Sequence, residues 1–216
     1  MNQKFFCLLA VLLLFSVSVV CAENESVVMK PGETYMCGDS FEISFPSQPS
    51  TVSMISRNPY RVLNIAYIHA EANKGERLLQ IRLRIRNLTP RLLKGLKKDS
   101  FILQGYVRDR HLTYLPEIME PYDFGDYENY RFYSPDHHEW SFMPPLRLFD
   151  ILLVYRINPI LVNWEILINP QPKLGTSYDY GIARYNPIEL TPCNATFRFS
   201  SIQNAETGEI IKYKTD

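Results

Sequence analysis

Net charge is missing from this chain: 23 Lys and Arg stand against 23 Asp and Glu in 216 residues. Binding to a phosphate backbone draws on a basic excess, so the balance argues against nucleic acid as the main partner. Cysteine is scarce, at four residues, and two of them, Cys7 and Cys21, belong to the first apolar stretch. A helical period of apolar residues is nearly absent, which argues against a helical fold. Catalytic signatures are missing too. There is no Gly-x-Ser-x-Gly elbow, no His-Glu-x-x-His, no phosphate loop, and no cysteine beside an obvious His motif. Carboxylate pairs such as Glu117 and Glu120 fit a glycosidase only in the sense that any acidic stretch supplies such pairs. An enzyme is not expected.

Long apolar runs are absent except for one. Residues 5–20 are uncharged and mostly apolar, follow Lys4, and lead into Val20-Cys21-Ala22. That is the pattern of a secretory signal peptide cleaved after Ala22, so residues 1–22 are expected to leave the mature chain. An uncleaved anchor is the alternative, although 16 residues fall short of the ~20 that span a bilayer comfortably. Lipidation at Cys21 is another, with Val20 bulky where lipoprotein signals use a small residue. Cleavage leaves a single domain, 23–216, holding Cys37 and Cys193. Two cysteines in an exported chain suggest one disulfide. Its loop of about 156 residues would contribute roughly 4–5 kcal/mol in the chain-entropy model; two buried free thiols are the other reading. No transmembrane segment is expected after cleavage, and the product belongs outside the cell or in the periplasm or envelope.

The most informative stretch is 78–88. From Leu79 to Arg86, Leu79, Ile81, Leu83 and Ile85 alternate with Gln80, Arg82, Arg84 and Arg86. Successive side chains of a strand point to opposite faces, so this stretch carries one apolar face and one arginine ladder. It reads as a central antiparallel strand with one face packed and one solvated. Other strands are expected at 27–30 and 33–37, split by Pro31-Gly32, and at 41–45, 52–56, 62–69, 101–107 and 111–115. Later ones are expected at 146–157, 164–168, 177–184, 188–193 and 196–199, with a hairpin end over 206–213. Asn58-Pro59 reads as a turn and 73–76 as a hairpin loop, whereas 92–100 has room for one helical turn. The strand over 146–157 is apolar on both faces and is expected to be covered on both sides, on one of them by the acidic stretch at 116–145. Many short strands separated by turn signals indicate an all-β fold, an antiparallel sandwich rather than a small closed barrel.

Residues 116–145 break the pattern with five prolines, eight aromatics and, up to Trp140, seven acids against one base. A long loop inserted into the domain is expected there. Tyr122, Asp123, Asp126, Tyr127, Tyr130, Tyr133, His137 and Trp140 are its candidate ligand- or partner-binding residues, because flat rings beside carboxylates hold sugars or anchor a protein partner. The plainer alternative is that the rings form a small satellite core. Asp123, Asp126, Glu128, Asp136, His137 and Glu139 are suitable donors for a divalent cation, yet their spacing matches neither an EF-hand nor a zinc site, and no metal or cofactor is expected. Residues 74–98 hold nine bases and one acid. The loop is therefore expected to dock on the arginine face, with Arg82, Arg84 or Arg86 within salt-bridge reach of a loop carboxylate. An acid-paired sheet face is the commoner role for such a ladder than an anion-binding surface. Asn24, Asn87 and Asn194 head glycosylation sequons, and at Asn87 a glycan would have to clear the sheet.

The strand ending Arg86-Asn87-Leu88-Thr89, followed ten residues on by Asp99-Ser100-Phe101-Ile102-Leu103, resembles bacterial exported immunoglobulin-like domains of unknown function. The pair formed by 146–155 and Trp164-Glu165-Ile166 looks like that family's penultimate strands. The resemblance covers about residues 61–170, and the loop at 116–145 is longer than the family pattern. It implies a secreted or envelope sandwich used for binding, with no catalytic residues to carry over. The expected function is an exported, non-enzymatic binding protein for an unknown protein or glycan; a carbohydrate- or calcium-binding module is the alternative.

Overall fold

The computed structural model describes residues 25–57, 68–90, 93–94, 96–122, 133–134, 139–140, 142–168, 195–199 and 201–212. The apolar leader, Asn58-Pro59 and the expected strands at 177–184 and 188–193 lie outside them. The described strands of the first half are β1 (Glu25–Met29), β2 (Thr34–Cys37), β3 (Phe41–Ser44), β4 (Ser50–Val52), β5 (Met54–Arg57), β6 (Ile68–Glu71), β7 (Arg77–Asn87), β8 (Leu93–Lys94), β9 (Phe101–Val107) and β10 (Arg110–Tyr114). Those of the second are β11 (Ile118–Pro121), β12 (Tyr133–Ser134), β13 (Glu139–Trp140), β14 (Phe142–Met143), β15 (Leu148–Ile157), β16 (Val162–Ile168), β17 (Ala195–Phe199), β18 (Ser201–Asn204) and β19 (Ile210–Lys212). The helical turn expected before β9 is a short 3-10 turn, Lys98–Ser100.

These strands build an all-β sandwich. One sheet has the order β1-β17-β16-β9-β10, and the larger runs β11-β15-β7-β4-β18-β19 with β3 also on β7 and β2 on β3. β7 is the organiser its alternation predicts. Leu79, Ile81, Leu83 and Ile85 are fully buried and share one core with Phe149, Ile151, Leu153 and Tyr155 of β15 and with Phe101, Leu103, Ile166 and Phe197 of the opposing sheet. Each such side chain contributes about 1.5–3 kcal/mol when removed from water. Aromatic rings join the layers: Tyr35 meets Phe197 edge-on at 5.3 Å and Phe45 meets Phe199 at 4.7 Å between centroids.

The chain changes sheets at Pro31-Gly32, since β1 lies in the smaller sheet and β2 in the larger. Gly32 turns there with φ +85° and donates its N–H to the Phe45 carbonyl at 2.8 Å. A side chain is disfavoured at that φ, so glycine marks the crossing. Cys37, at the end of β2, is buried and disulfide-bonded; Cys193 lies outside the described residues.

A third, thin layer lies outside the larger sheet. β5 and β6 pair antiparallel, and Ile55, Ile68 and Ala70 pack on Leu78, Ile118, Leu152 and Val154. This ribbon, with only Ile118 and Tyr122 of the acidic stretch joining it among the described residues, gives β15 the second covered face that its apolar sequence requires. It also corrects one expectation. The segment 73–76 forms a turn, with Glu76 N–H donating to the Asn73 carbonyl at 3.0 Å, but it is no hairpin loop: β6 pairs with β5, whereas β7 pairs with β15, β3 and β4. Residues 116–145 also contain more regular structure than a loop. β11 is buried beside β15, and β12–β14 form two short ladders. Prolines 116 and 121 hide β11 in the sequence, yet an edge strand tolerates a missing N–H.

Candidate functional site

The acidic aromatic segment leaves the sheet at the end of β11, where Pro121 lies opposite Ile151. The next residue, Tyr122, is fixed from three directions. Its N–H donates to the Asp150 carbonyl at 2.7 Å, and its own carbonyl accepts from Arg57 Nη2 at 2.6 Å. Two guanidiniums lie over its ring, Arg82 at 3.8 Å and Arg57 at 4.3 Å from the centroid. Each cation–π contact is worth about 0.5–2 kcal/mol, more as water is excluded.

Asp150 holds the ladder in place. Arg82 donates Nε to Oδ1 at 2.8 Å and Nη2 to Oδ2 at 2.6 Å, and Arg84 donates Nε to Oδ2 at 2.9 Å. The carboxylate sits directly across from Arg84 in the β15–β7 register. Arg86 approaches Glu42 of β3 at 3.6 Å. These carboxylates belong to neighbouring strands rather than to 116–145, and the loop residue that meets the ladder among the described ones is aromatic, Tyr122. The carboxylates Asp123, Asp126, Glu128 and Asp136 lie outside the described residues.

The far end of the same segment is fixed by β7 as well. Asn87, fully buried, donates Nδ2 to the carbonyls of Met143 at 2.9 Å and Pro144 at 3.2 Å. Its Oδ1 accepts the Thr89 N–H at 2.9 Å and the Thr89 hydroxyl at 2.8 Å. The sequon Asn87-Leu88-Thr89 is thus an interior hydrogen-bonding unit. A single strand grips the segment where it departs and where it returns.

Between those grips, Tyr133 and Trp140 are cross-strand neighbours in the β12–β13 ladder. Asp123, Asp126, Tyr127, Tyr130 and His137 lie outside the described residues, so of the expected binding residues only Tyr122 has a described side chain. At the entry, Arg156 forks onto Glu117 at 2.9 and 3.0 Å and donates to the Glu71 carbonyl at 2.7 Å. Glu117 raises the Arg156 pKa further above its ordinary value. Among the described residues no group of three or more His, Cys, Asp or Glu could hold a metal ion. Among them, no helix is long and apolar enough to cross a membrane.

Arg57, Asp150 and the structural role of Asn87 escape the sequence reading. One signal was available: Asp150 is the only acid in the apolar strand 148–157, and a lone carboxylate there calls for a cationic partner.

No protein-family model and no curated protein matches the chain. Among solved structures it is similar to an uncharacterized β-sandwich protein from Clostridium difficile 630, at 11% identity and TM-score 0.46, over 82% of this chain and 95% of that one. It is also similar to a functionally unknown protein from Listeria monocytogenes EGD-e, at 11% identity and TM-score 0.37, over 63% and 70% of the two chains. Both are bacterial proteins of unassigned activity. Likeness at this level carries no functional argument.

Proposed function

We propose that this protein is an exported, non-enzymatic binding protein of the bacterial envelope or exterior, with the acidic aromatic segment as its contact surface. One observation carries the reading: both ends of that segment are fastened to the central strand, by Arg82 on Tyr122 at one end and Asn87 on Met143 and Pro144 at the other. Binding residues are commonly displayed on excursions whose bases are held by a rigid sheet. The leader at 1–22, with its cleavage pattern, supports export.

We further read the sandwich as immunoglobulin-like. Strand order supports this: β17, β16 and β9 lie side by side as G, F and C do, and β3, β7, β15 and β11 follow the order A, B, E, D. Cys193 is the inferred partner of Cys37, because the other two cysteines belong to the leader.

The test replaces residues 124–139 by a Gly-Ser linker, leaving Tyr122 and Asn87 in place. Wild type and variant are compared on a glycan array and by cross-linking to envelope proteins, after matched thermal unfolding. The expected result is loss of the ligands that wild type captures. Retention of every ligand by the variant would show that the segment only covers the sheet.

A further inference from the structure

The outer face of the larger sheet is divided in two. Over Leu78, Leu152 and Val154 it is covered by the β5–β6 ribbon, and at Arg82 by Tyr122. Beyond Arg82 it is open: the Arg84 and Arg86 side chains are 38% and 42% exposed. Their donors are largely uncommitted. Arg84 reaches Asp150 through Nε alone, and that carboxylate is already chelated by Arg82. Arg86 stands 3.6 Å from Glu42, beyond ordinary hydrogen-bond length. Among the described residues, Arg84 thus shares a carboxylate already chelated by Arg82, and Arg86 has only Glu42 at 3.6 Å. The open half continues onto Ser44 beside Arg84, and through Glu42 beside Arg86 to the exposed Met36.

We infer that this open half is a second binding surface, for an extended acidic peptide whose carboxylates are two residues apart. Alternate side chains of a strand lie on one face about 7 Å apart. Arg84 and Arg86 present two guanidinium forks at that period, and an extended partner presents its alternate carboxylates at the same period. The planar fork of arginine matches a carboxylate with two parallel hydrogen bonds. Met36 gives the partner an apolar neighbour at the rim. The site uses no residue of the aromatic segment and stands or falls separately from it.

The test titrates full-length protein into fluorescein-labelled Thr-Val-Glu-Thr-Glu-Val-Thr. The control is Thr-Glu-Val-Thr-Glu-Val-Thr, which has the same composition but places its glutamates on opposite faces. At low salt the first peptide is expected to bind about tenfold tighter, with affinity falling as salt rises. The double variant Arg84→Gln/Arg86→Gln is expected to lose that preference with its unfolding temperature little changed. If it unfolds, Arg86→Gln alone carries the test, because Arg86 makes no short hydrogen bond among the described residues. Equal affinity for the two peptides would overturn the inference, as would an unchanged preference in the variant. So would inorganic polyphosphate displacing the peptide and binding more tightly, which would make the strip a phosphate-polymer site.

Discussion

Asn87 shows how much one side chain decides. It satisfies all four of its hydrogen-bonding positions inside the protein, two as donor and two as acceptor. Truncation to alanine removes the bonds to the Met143 and Pro144 carbonyls and to Thr89, and a buried polar group deprived of its partner costs about 1–3 kcal/mol. Asn87→Ala is therefore expected to destabilise the fold by about 2–4 kcal/mol, read as a lower urea midpoint at unchanged slope. The same burial makes a glycan at this position incompatible with the folded chain. The sequence marks Asn87 as the end of a strand and the head of a sequon, and neither says where its amide points. Tyr122 is the converse case: its residue type and acidic neighbours mark it as a binding candidate, and its described role is to anchor.

At the scale of elements, alternation decides what can be read. β7, β9 and β16 each bury every second residue, so period two in the sequence becomes two faces in the fold. β11 could not be read in this way, because prolines flank it and all four of its residues are buried. The pairing of β5 with β6 was also hidden, since it joins segments separated by ten residues and no local pattern encodes a partner. Some local irregularities have sharp consequences. Between β9 and β16 the register shifts by one residue, with Asn163 at φ +48°. Gly105 lies under that bulge, where an added Cβ would meet Trp164 Cβ at 2.9 Å and its Cα at 3.1 Å. The clash involves backbone, which cannot swing aside. Gly105→Ala is expected to destabilise by about 1–3 kcal/mol, whereas Gly75→Ala, whose Cβ would meet open space but at φ +85°, is expected to cost about 1–2 kcal/mol from backbone strain alone. Parallel thermal melts, with near-ultraviolet circular dichroism to follow Trp164, separate the two causes.

For the molecule as a whole, the sandwich could be expected from strand count and turn signals, while the third layer and the grip of β7 on both ends of the acidic segment could not. Long-range ties of that kind depend on where strands meet in space. A further tie joins the C-terminal hairpin to the sheet: Glu206 accepts the Ser53 N–H at 2.6 Å and pairs with Arg77 at 3.1 Å. Hydrogen bonding from Ser53, then the charge of Arg77, holds its carboxyl below the ordinary glutamate range. A depressed folded-state pKa stabilises the protein above the unfolded value, and that contribution disappears as pH falls through the folded one. Stability curves of wild type and Glu206→Gln are therefore expected to differ at neutral pH and to converge as pH falls below the ordinary glutamate range and through the lowered folded value. A constant gap across that range would exclude the ionised carboxylate as the cause. The parallel pairing of β1 with β17 bears on time rather than strength. Glu25 pairs with Ala195, a separation of 170 positions. At synthesis rates of about 5–20 residues per second, β1 waits on the order of ten seconds for a partner to exist. The earliest of the described strands is among the last to find its place.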